Sequence, residues 1–198
     1  MMNKKIEMSW RERLNEEIES ALVSYYEDLE INPYVDAYGV KYSPDRKRLL
    51  QIPDGLEKYV VKEGTEILLG ILSNSISLKY IIIPSSVVAI WDDVFCGLEK
   101  LINVSLCAGL KLIGDRAFAG CGFSTLTIPD GVEVIGDECF CENDMLTSID
   151  LPTSIKSIGI DVFDGCINLE SIIIPIGTRK VFEQLLPQYK DILLERVS

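Results

Sequence analysis

The chain has no histidine, which removes the usual general base of several enzyme classes. A Ser-His-Asp or Cys-His arrangement, an HExxH motif and a His-containing zinc site all require that residue. The sequence also has no Walker loop, and the stretch at residues 120–122 lacks the third glycine of a dinucleotide-binding fingerprint. We therefore predict a protein that is not an enzyme and that has no catalytic residue, cofactor or metal site.

Basic residues are few beside acidic ones: 19 Lys and Arg stand against 31 Asp and Glu, which gives a formal net charge of −12. Nucleic-acid phosphates are bound by clustered Lys or Arg, so the composition argues against nucleic acid as a partner. The longest apolar stretches fall far short of the roughly 20 residues that span a bilayer, and no apolar signal segment follows the first residues. For the chain as written, we expect no membrane insertion, a cytoplasmic location, and a monomer or weak dimer.

What the sequence does have is a repeat of 22 or 23 residues. Each copy begins with the same short motif, and the first residues of these copies are Leu78, Leu101, Phe123, Leu146 and Leu169. A unit of this length cannot bury its apolar face alone, so the units must stack into a solenoid. Three columns define the template. The strand-ending prolines are Pro84, Pro129, Pro152 and Pro175; the corner glycines are Gly114, Gly136 and Gly159; and the spine phenylalanines are Phe95, Phe118, Phe140 and Phe163.

The segments on either side of the repeats predict caps. Apolar residues at helical spacing indicate one amphipathic helix from residue 10 to about 30, which we expect to pack on the solenoid end rather than form a coiled-coil dimer. A hairpin with its turn at 43–45 follows, and a short helix is predicted at 179–186. The predicted divisions are an N-terminal helix at 1–36, a capping β-hairpin at 37–55, a leucine-rich-repeat solenoid at 56–176 and a helical C-terminal cap at 177–198. The predicted fold class is thus a β-rich solenoid with short helical turns.

Cysteines and acidic residues are the remaining candidates for chemistry. The cysteines are Cys96, Cys107, Cys121, Cys139, Cys141 and Cys166. Those that share a column lie two repeats apart, about 10 Å, which is too far for a disulfide; only Cys121 with Cys141 stays open as a pair. We favour buried free thiols, which fit a reducing compartment.

An acidic series follows the glycine corner and comprises Asp92, Asp93, Asp115, Asp137, Glu138 and Asp161. These carboxylates could hold Ca²⁺, or each Asp could cap the turn that leads to the spine phenylalanine by accepting a backbone N–H. Arg116 and Ile160 interrupt the series and no EF-hand pattern is present, so capping is favoured.

The candidate partner-binding surface is the outward side of the first strand of each repeat. Because side chains alternate along a strand, Ile81 and Ile83 inward place Tyr80 and Ile82 outward. Down the stack, the predicted surface residues are Tyr80, Ile82, Asn103, Ser105, Thr125, Thr127, Ser148, Asp150, Ser171 and Ile173. Tyr80, Ile82 and Ile173 are expected to be the anchors, because interface energy concentrates on apolar and aromatic groups.

The phrase Ile-Pro-x-Gly-Val-x-x-Ile-Gly-x-x-x-Phe at 128–140, with the Ala-Phe-x-Gly-Cys element at 117–121, resembles the BspA-like leucine-rich repeats of bacterial surface antigens. The resemblance covers about residues 56–176 and implies protein binding rather than catalysis. The predicted function is a non-enzymatic protein-interaction module whose partner is a protein of unstated identity. The alternatives are an adhesin-like module at the cell surface, a metal-binding or enzymatic solenoid, and a protein in which the N-terminal helix is the working part.

Overall fold

The computed structural model describes residues 16, 19–20, 24–70, 72 and 74–196. Most of the first half of the predicted N-terminal helix lies outside the described residues. Its second half is helical as expected, and the described helix α1 spans 24–30 before the chain turns at Asn32 and Pro33. None of the helices that the structure describes is long and apolar enough to cross a membrane.

Short strands make up most of the described chain. They are β1 (Tyr34–Val35), β2 (Lys41–Tyr42), β3 (Arg48–Gln51), β4 (Lys58–Val60), β5 (Ile67–Leu68), β6 (Tyr80–Ile82), β7 (Ala89–Ile90), β8 (Asn103–Ser105), β9 (Leu112–Ile113), β10 (Thr125–Thr127), β11 (Val134–Ile135), β12 (Ser148–Asp150), β13 (Ser157–Ile158), β14 (Ser171–Ile174) and β15 (Leu193–Glu195). Helix α2 (Arg179–Leu185) and a 3₁₀ helix (Pro187–Ile192) lie before β15.

Each repeat contributes one strand to each side of a solenoid, as the repeat spacing predicts. The back sheet has the order β1-β2-β3-β5-β7-β9-β11-β13, and from β3 onward its strands are parallel. The front strands form two sheets, β4-β6-β8 and β10-β12-β14-β15, whose paired strands are also parallel. The predicted solenoid is confirmed.

The four spine phenylalanines stack face to face along the core, as predicted. Successive ring centroids from Phe95 to Phe163 lie 5.0, 5.9 and 5.7 Å apart, with interplanar angles of 17° or less. Tyr189 of the 3₁₀ helix closes the stack edge-on against Phe163, at 5.5 Å. Offset stacking of this kind adds to the apolar burial, so the spine fixes the register of each turn on the next.

The N-terminal cap contains the predicted hairpin of β2 and β3, and β1 adds a third antiparallel strand that the sequence pattern did not reveal. Two buried hydroxyls tie this cap to the first turn. The Tyr59 hydroxyl donates to the Asp36 carboxylate at 2.7 Å and lies 2.6 Å from the Tyr42 hydroxyl. The turn that contains β4 is therefore joined to the N-terminal cap by polar contacts as well as by apolar burial.

Helix α1 packs on the flank of the back sheet and not on the solenoid end that we expected. Tyr25 and Leu29 pack against a separate apolar cluster of Leu50, Ile67, Leu69, Ala89 and Leu112. Asp28 forms an ion pair with Arg48 at 2.9 Å. The outward-facing residues of the first back strands are apolar, whereas a solvent-exposed sheet face is ordinarily polar. These residues contact the helix, because burial of apolar surface stabilises the contact.

The C-terminal cap ends the two sides of the solenoid differently. Lys180 and Val181, which lie 23 positions after the last back strand, belong to α2, so a helix follows where the next back strand would begin. The front sheet instead continues, because β15 pairs in parallel with β14. The predicted capping helix is confirmed, and covering a strand edge with a helix is a common defence against aggregation.

Candidate partner-binding face

The outward residues of the front strands lie on one side of the solenoid, and we call this surface the front face. Strands β6 and β10 show the predicted alternation, with an exposed, a buried and an exposed residue in turn. Tyr80 is 41% exposed and Ile82 is 39% exposed, in register with Asn103 and Ser105 of the next turn. The structure therefore brings the sequence-predicted residues together in two adjacent columns.

The middle of the front face is polar and uncharged. Asn103, Ser105, Thr125 and Thr127 are exposed there. One turn further on the surface is partly closed by its own contacts, since the Ser171 hydroxyl donates to the Ser148 hydroxyl at 3.0 Å. Hydroxyl pairs across strands are ordinary sheet contacts, so these two serines have less free hydrogen-bonding capacity than the exposed middle.

The C-terminal end of the face differs from the expectation in two ways. Asp150 forms an ion pair with Arg196, which comes from the chain after β15. Ile173, expected to be an exposed anchor, is only partly exposed, and it pairs with Leu194, which is 53% exposed. The reason is that β15 adds a strand beside Ile173. Leu194 of β15 is therefore the exposed apolar residue at this end of the face.

The sequence reasoning missed Val60 as well as Leu194. Val60 is 53% exposed and is in register with Ile82, so it extends the apolar group at the N-terminal end of the face. The alternation that places Tyr59 inward also places Val60 outward, but the segment around β4 lacks the proline and phenylalanine of the repeat template. Leu194 gave no such signal, because the segment around it was expected to cover the core and not to add a strand.

The acidic series forms bonds between turns. The Asp92 carboxylate accepts the backbone N–H of Asp115 at 2.8 Å, the Asp115 carboxylate accepts that of Asp137 at 2.8 Å, and the Asp137 carboxylate accepts that of Ile160 at 2.9 Å. The carboxylates do bond backbone N–H groups, but each N–H belongs to the next turn and not to the residue's own turn as the capping prediction had it. Within the described part of the chain, no three His, Cys, Asp or Glu side chains are grouped closely enough to hold a metal ion.

The glycine column makes room for this carboxylate ladder. A Cβ on Gly136 would lie 2.3 Å from the Asp115 carboxylate oxygen and 2.5 Å from the Asp115 backbone nitrogen. The sharp corner that we predicted at these glycines comes two residues later, where Arg116, Glu138 and Asp161 have left-handed φ values of 51–53°. The column is therefore glycine because neighbouring turns approach closely there.

All six cysteines are free thiols, including Cys121 and Cys141, the pair left open by the sequence. Four are buried as predicted, whereas Cys96 and Cys166 are partly exposed. The Cys121 thiol donates to the Phe95 carbonyl at 3.3 Å, and the Cys166 thiol donates to the Phe140 carbonyl at 3.0 Å. Burial raises the pKa of the Cys121 and Cys139 thiols and brings that of Cys166 to about 11, so these thiols are not activated as nucleophiles.

Comparison with known proteins finds a matching repeat family and solved structures of similar fold. The model of the BspA type leucine-rich repeat region, in six copies, matches residues 65–188. A leucine-rich cell surface protein from Faecalibacterium prausnitzii aligns with 78% of this chain and 42% of its own, at 21% identity and a TM-score of 0.69. The T. pallidum leucine-rich repeat protein aligns with 71% of this chain and 70% of its own, at 28% identity and a TM-score of 0.60.

The pneumococcal vaccine antigen PcpA aligns with 70% of this chain and 36% of its own, at 25% identity and a TM-score of 0.61. The chain thus spans less than half the length of the F. prausnitzii protein and of PcpA. No curated protein sequence matches the chain. Because the repeat model covers well over half of the residues, and the fold carries the matching columns, the chain belongs to the BspA-type leucine-rich repeat family.

Proposed function

We propose that this chain is a non-enzymatic protein-binding module and that a protein partner docks on the front face. The single observation that carries the proposal is the exposed apolar group of Val60, Tyr80 and Ile82, which lies beside the polar outward residues of β8 and β10. Partly exposed aromatic and aliphatic groups surrounded by polar ones are typical of the centre of a protein interface.

Rigidity supports the same proposal. Tyr80 and Ile82 flank Ile81, which is completely buried and pairs with Tyr59 and Val104 in the turns on either side. A side chain on such a stacked strand loses little conformational freedom on binding, because the fold has already ordered its backbone. The module therefore spends little of its binding energy on ordering itself.

The relatives favour the adhesin-like version of this function. The F. prausnitzii relative is described as a cell surface protein, and we extend that location to this chain as part of the proposal. The cytoplasmic location expected from the N-terminal residues receives no support from these relatives. A protein exposed at a surface would use the front face to hold a partner outside the cell.

The proposal is tested by capturing partners on the immobilised protein, from a cell extract and from the surrounding medium in parallel. The test variant carries Tyr80→Asp and Ile82→Asp, which put two charges into the apolar group. The matched control carries Met145→Asp and Ile167→Asp, which are also exposed apolar residues but lie outside the front strands. Circular dichroism and the urea midpoint establish that both variants are folded.

We expect one or more proteins to be retained by the wild type and by the control variant, and lost with the front-face variant. The fraction that supplies the partner, extract or medium, decides between the two locations. Retention by the folded front-face variant equal to that by the wild type would contradict the proposal.

A further inference from the structure

The front face is divided in its middle, between the third and fourth of its repeated strands. Strands β8 and β10 belong to consecutive turns but to different sheets, whereas in the same turns the back strands β9 and β11 are paired. We call this gap, between 103–105 and 125–127, the split. Between these two turns, the back strands are paired and the front strands are not.

A missing hydrogen bond locates the split. In the other turns, the residue just after the front strand donates its backbone N–H to a carbonyl of the next turn at 2.8–3.0 Å; these bonds run from Val61 to Ile82, Ile83 to Ser105, Ile128 to Asp150 and Leu151 to Ile173. Leu106 holds the equivalent position, and in the described part of the chain it has no such bond to Thr127. An unmade backbone bond leaves a donor and an acceptor to be satisfied by water or by a ligand.

Side-chain burial marks the same place independently. The central residue of each front strand is buried in β4, β6, β10, β12 and β14, but Val104 of β8 is partly exposed. Leu106 is also partly exposed, whereas Ile83 and Ile128 at the equivalent positions are buried. Water therefore reaches the apolar side chains of Val104 and Leu106 that border the split.

Phe123 distinguishes the turn that leads into β10 from its neighbours. It stands in the column where the preceding and following turns carry Leu101 and Leu146, and its ring is completely buried. The ring packs edge-on against Phe118, with centroids 6.1 Å apart. A side chain larger than its column allows forces its neighbours apart, because a packed core has no spare volume. The turn is also one residue shorter than its neighbours here, because five positions separate Phe118 from Phe123 and six separate Phe140 from Leu146. The bulky ring and the shorter connection both mark this turn as the one that departs from the regular pairing of the front strands.

We propose that the split is a flex point at which the front face opens and closes while the back sheet stays paired. Opening changes the spacing between the two halves of the face, namely Val60, Tyr80 and Ile82 on one side and Leu194 on the other. A partner that contacts both halves would select one opening and so couple its binding to the shape of the solenoid. This coupling rests on the proposed function, whereas the flexing itself is a property of the free protein.

Cysteine pairs measure how closely the two strands approach each other at the split. Ser105→Cys with Thr127→Cys spans the split, and Ile82→Cys with Ser105→Cys spans the intact pairing of β6 and β8, where the two residues are in register. Neighbouring strands about 4.8 Å apart bring Cα atoms within disulfide range, and Cα atoms beyond about 7 Å cannot be bridged without backbone movement. Peptide mapping distinguishes the new disulfide from the six natural thiols.

We expect the control pair to oxidise at least about tenfold faster than the pair across the split. Adding Phe123→Leu should bring the rate of the split pair up to that of the control pair. Hydrogen exchange provides a second measurement: the Leu106 amide should exchange roughly fivefold or more faster than the Ile83 and Ile128 amides, the factor of one lost hydrogen bond. Equal oxidation rates together with equal exchange in the unmodified protein would overturn the flex point.

The coupling is tested separately, with a partner captured on the front face. Coupling predicts that the partner changes the exchange rate of the Leu106 amide as well as protecting residues 80–82. Protection of 80–82 with Leu106 unchanged would overturn the coupling and leave the proposed function intact. Failure to bind any partner would contradict the proposed function without affecting the oxidation result.

Discussion

The backbone N–H of Cys121 donates a 2.7 Å hydrogen bond to the side-chain oxygen of Asn143, the residue at the equivalent position of the following turn. The Asn143 amide nitrogen in turn donates to the Phe118 carbonyl at 3.0 Å and to the Phe140 carbonyl at 2.7 Å. Asn143 is completely buried. One polar side chain therefore satisfies three backbone groups at the turn that follows the aromatic spine.

Replacing Asn143 with leucine should strongly destabilise the protein. The substitution removes the Asn143 partner of the Cys121 N–H and of the Phe118 carbonyl in the core, and it leaves the Phe140 carbonyl with the Cys166 thiol alone. We expect a loss of about 3 kcal/mol in the free energy of unfolding. Asn143→Cys is the matched variant, because Cys121 and Cys166 occupy this position in neighbouring turns and donate to the preceding spine carbonyl. It should lose clearly less stability. Urea unfolding measures both, and equal midpoints for the two variants would contradict this role of Asn143.

Gly136→Ala separates close approach from backbone conformation. The added methyl would lie 2.3 Å from the Asp115 carboxylate oxygen and 2.5 Å from the Asp115 backbone nitrogen. Because that backbone cannot easily move, we expect a loss of about 2–3 kcal/mol. Gly177→Ala is the control, since Gly177 has φ of +80° but open space around it, and it should lose only about 1 kcal/mol. A smaller loss at Gly136 than at Gly177 in thermal or urea unfolding would show that the turns do not approach as described.

The ladder carboxylate Asp92 should make stability depend on pH in an unusual direction. Burial raises the pKa of Asp92 above its ordinary value of 3.8, although the backbone N–H of Asp115 opposes the shift. Above the raised pKa the carboxylate is charged in both states, so its burial lowers the stability of the fold. As the pH falls from the raised pKa towards 3.8, the folded protein takes up the proton first, and this loss is relieved.

Asp92→Asn keeps an oxygen that can accept the Asp115 N–H and removes the charge. We expect the variant to be more stable than the wild type at pH 7, and the difference to shrink as the pH is lowered towards 4, where the ordinary carboxyl titrates. Asp54→Asn is the control of opposite sign, because hydrogen bonding by Ser77 lowers the pKa of Asp54. Urea unfolding at a series of pH values measures both, and a difference at Asp92 that grows on acidification would refute the assignment.

Leu29→Ala tests the position of α1. Leu29 packs on the apolar flank of the back sheet, so shortening it should lower the free energy of unfolding by about 1–2 kcal/mol. Ile31→Ala is the control, since Ile31 follows the same helix but is exposed, and it should change stability by less than about 0.5 kcal/mol. Indistinguishable unfolding curves for the two variants would mean that the helix does not dock on the sheet.

Much of this fold could be predicted because the same pattern of core residues recurs in each copy of the repeat. The spine phenylalanines, the strand-ending prolines and the inward aliphatic columns each recur at one spacing, and one arrangement satisfies them all. The outward residues of the front strands then follow from alternation alone, which is why Tyr80 and Ile82 were found. Features that occur once, such as β1 and β15, carry no such repetition and were missed.

The remaining differences come from contacts between turns, which a one-dimensional pattern does not encode. The spacing of Asp115 and Gly136 does not show that the carboxylate of one turn bonds the backbone of the next, and that the glycine leaves it room. Helical periodicity identified α1 but not the apolar outer row on which it lies. Phe123 fits the apolar pattern of its column, and this pattern does not show that β8 and β10 are left unpaired beside it.

If a protein partner docks on the front face, it must contact the apolar group near the N-terminal end of that face. Hydrogen exchange of the protein with and without a captured partner detects this contact, because it reports on every strand at once. We expect the protection gained on binding to be concentrated at 58–60 and 80–82. Protection confined to α1 or to the turns around 160–167, with the front strands unchanged, would contradict it.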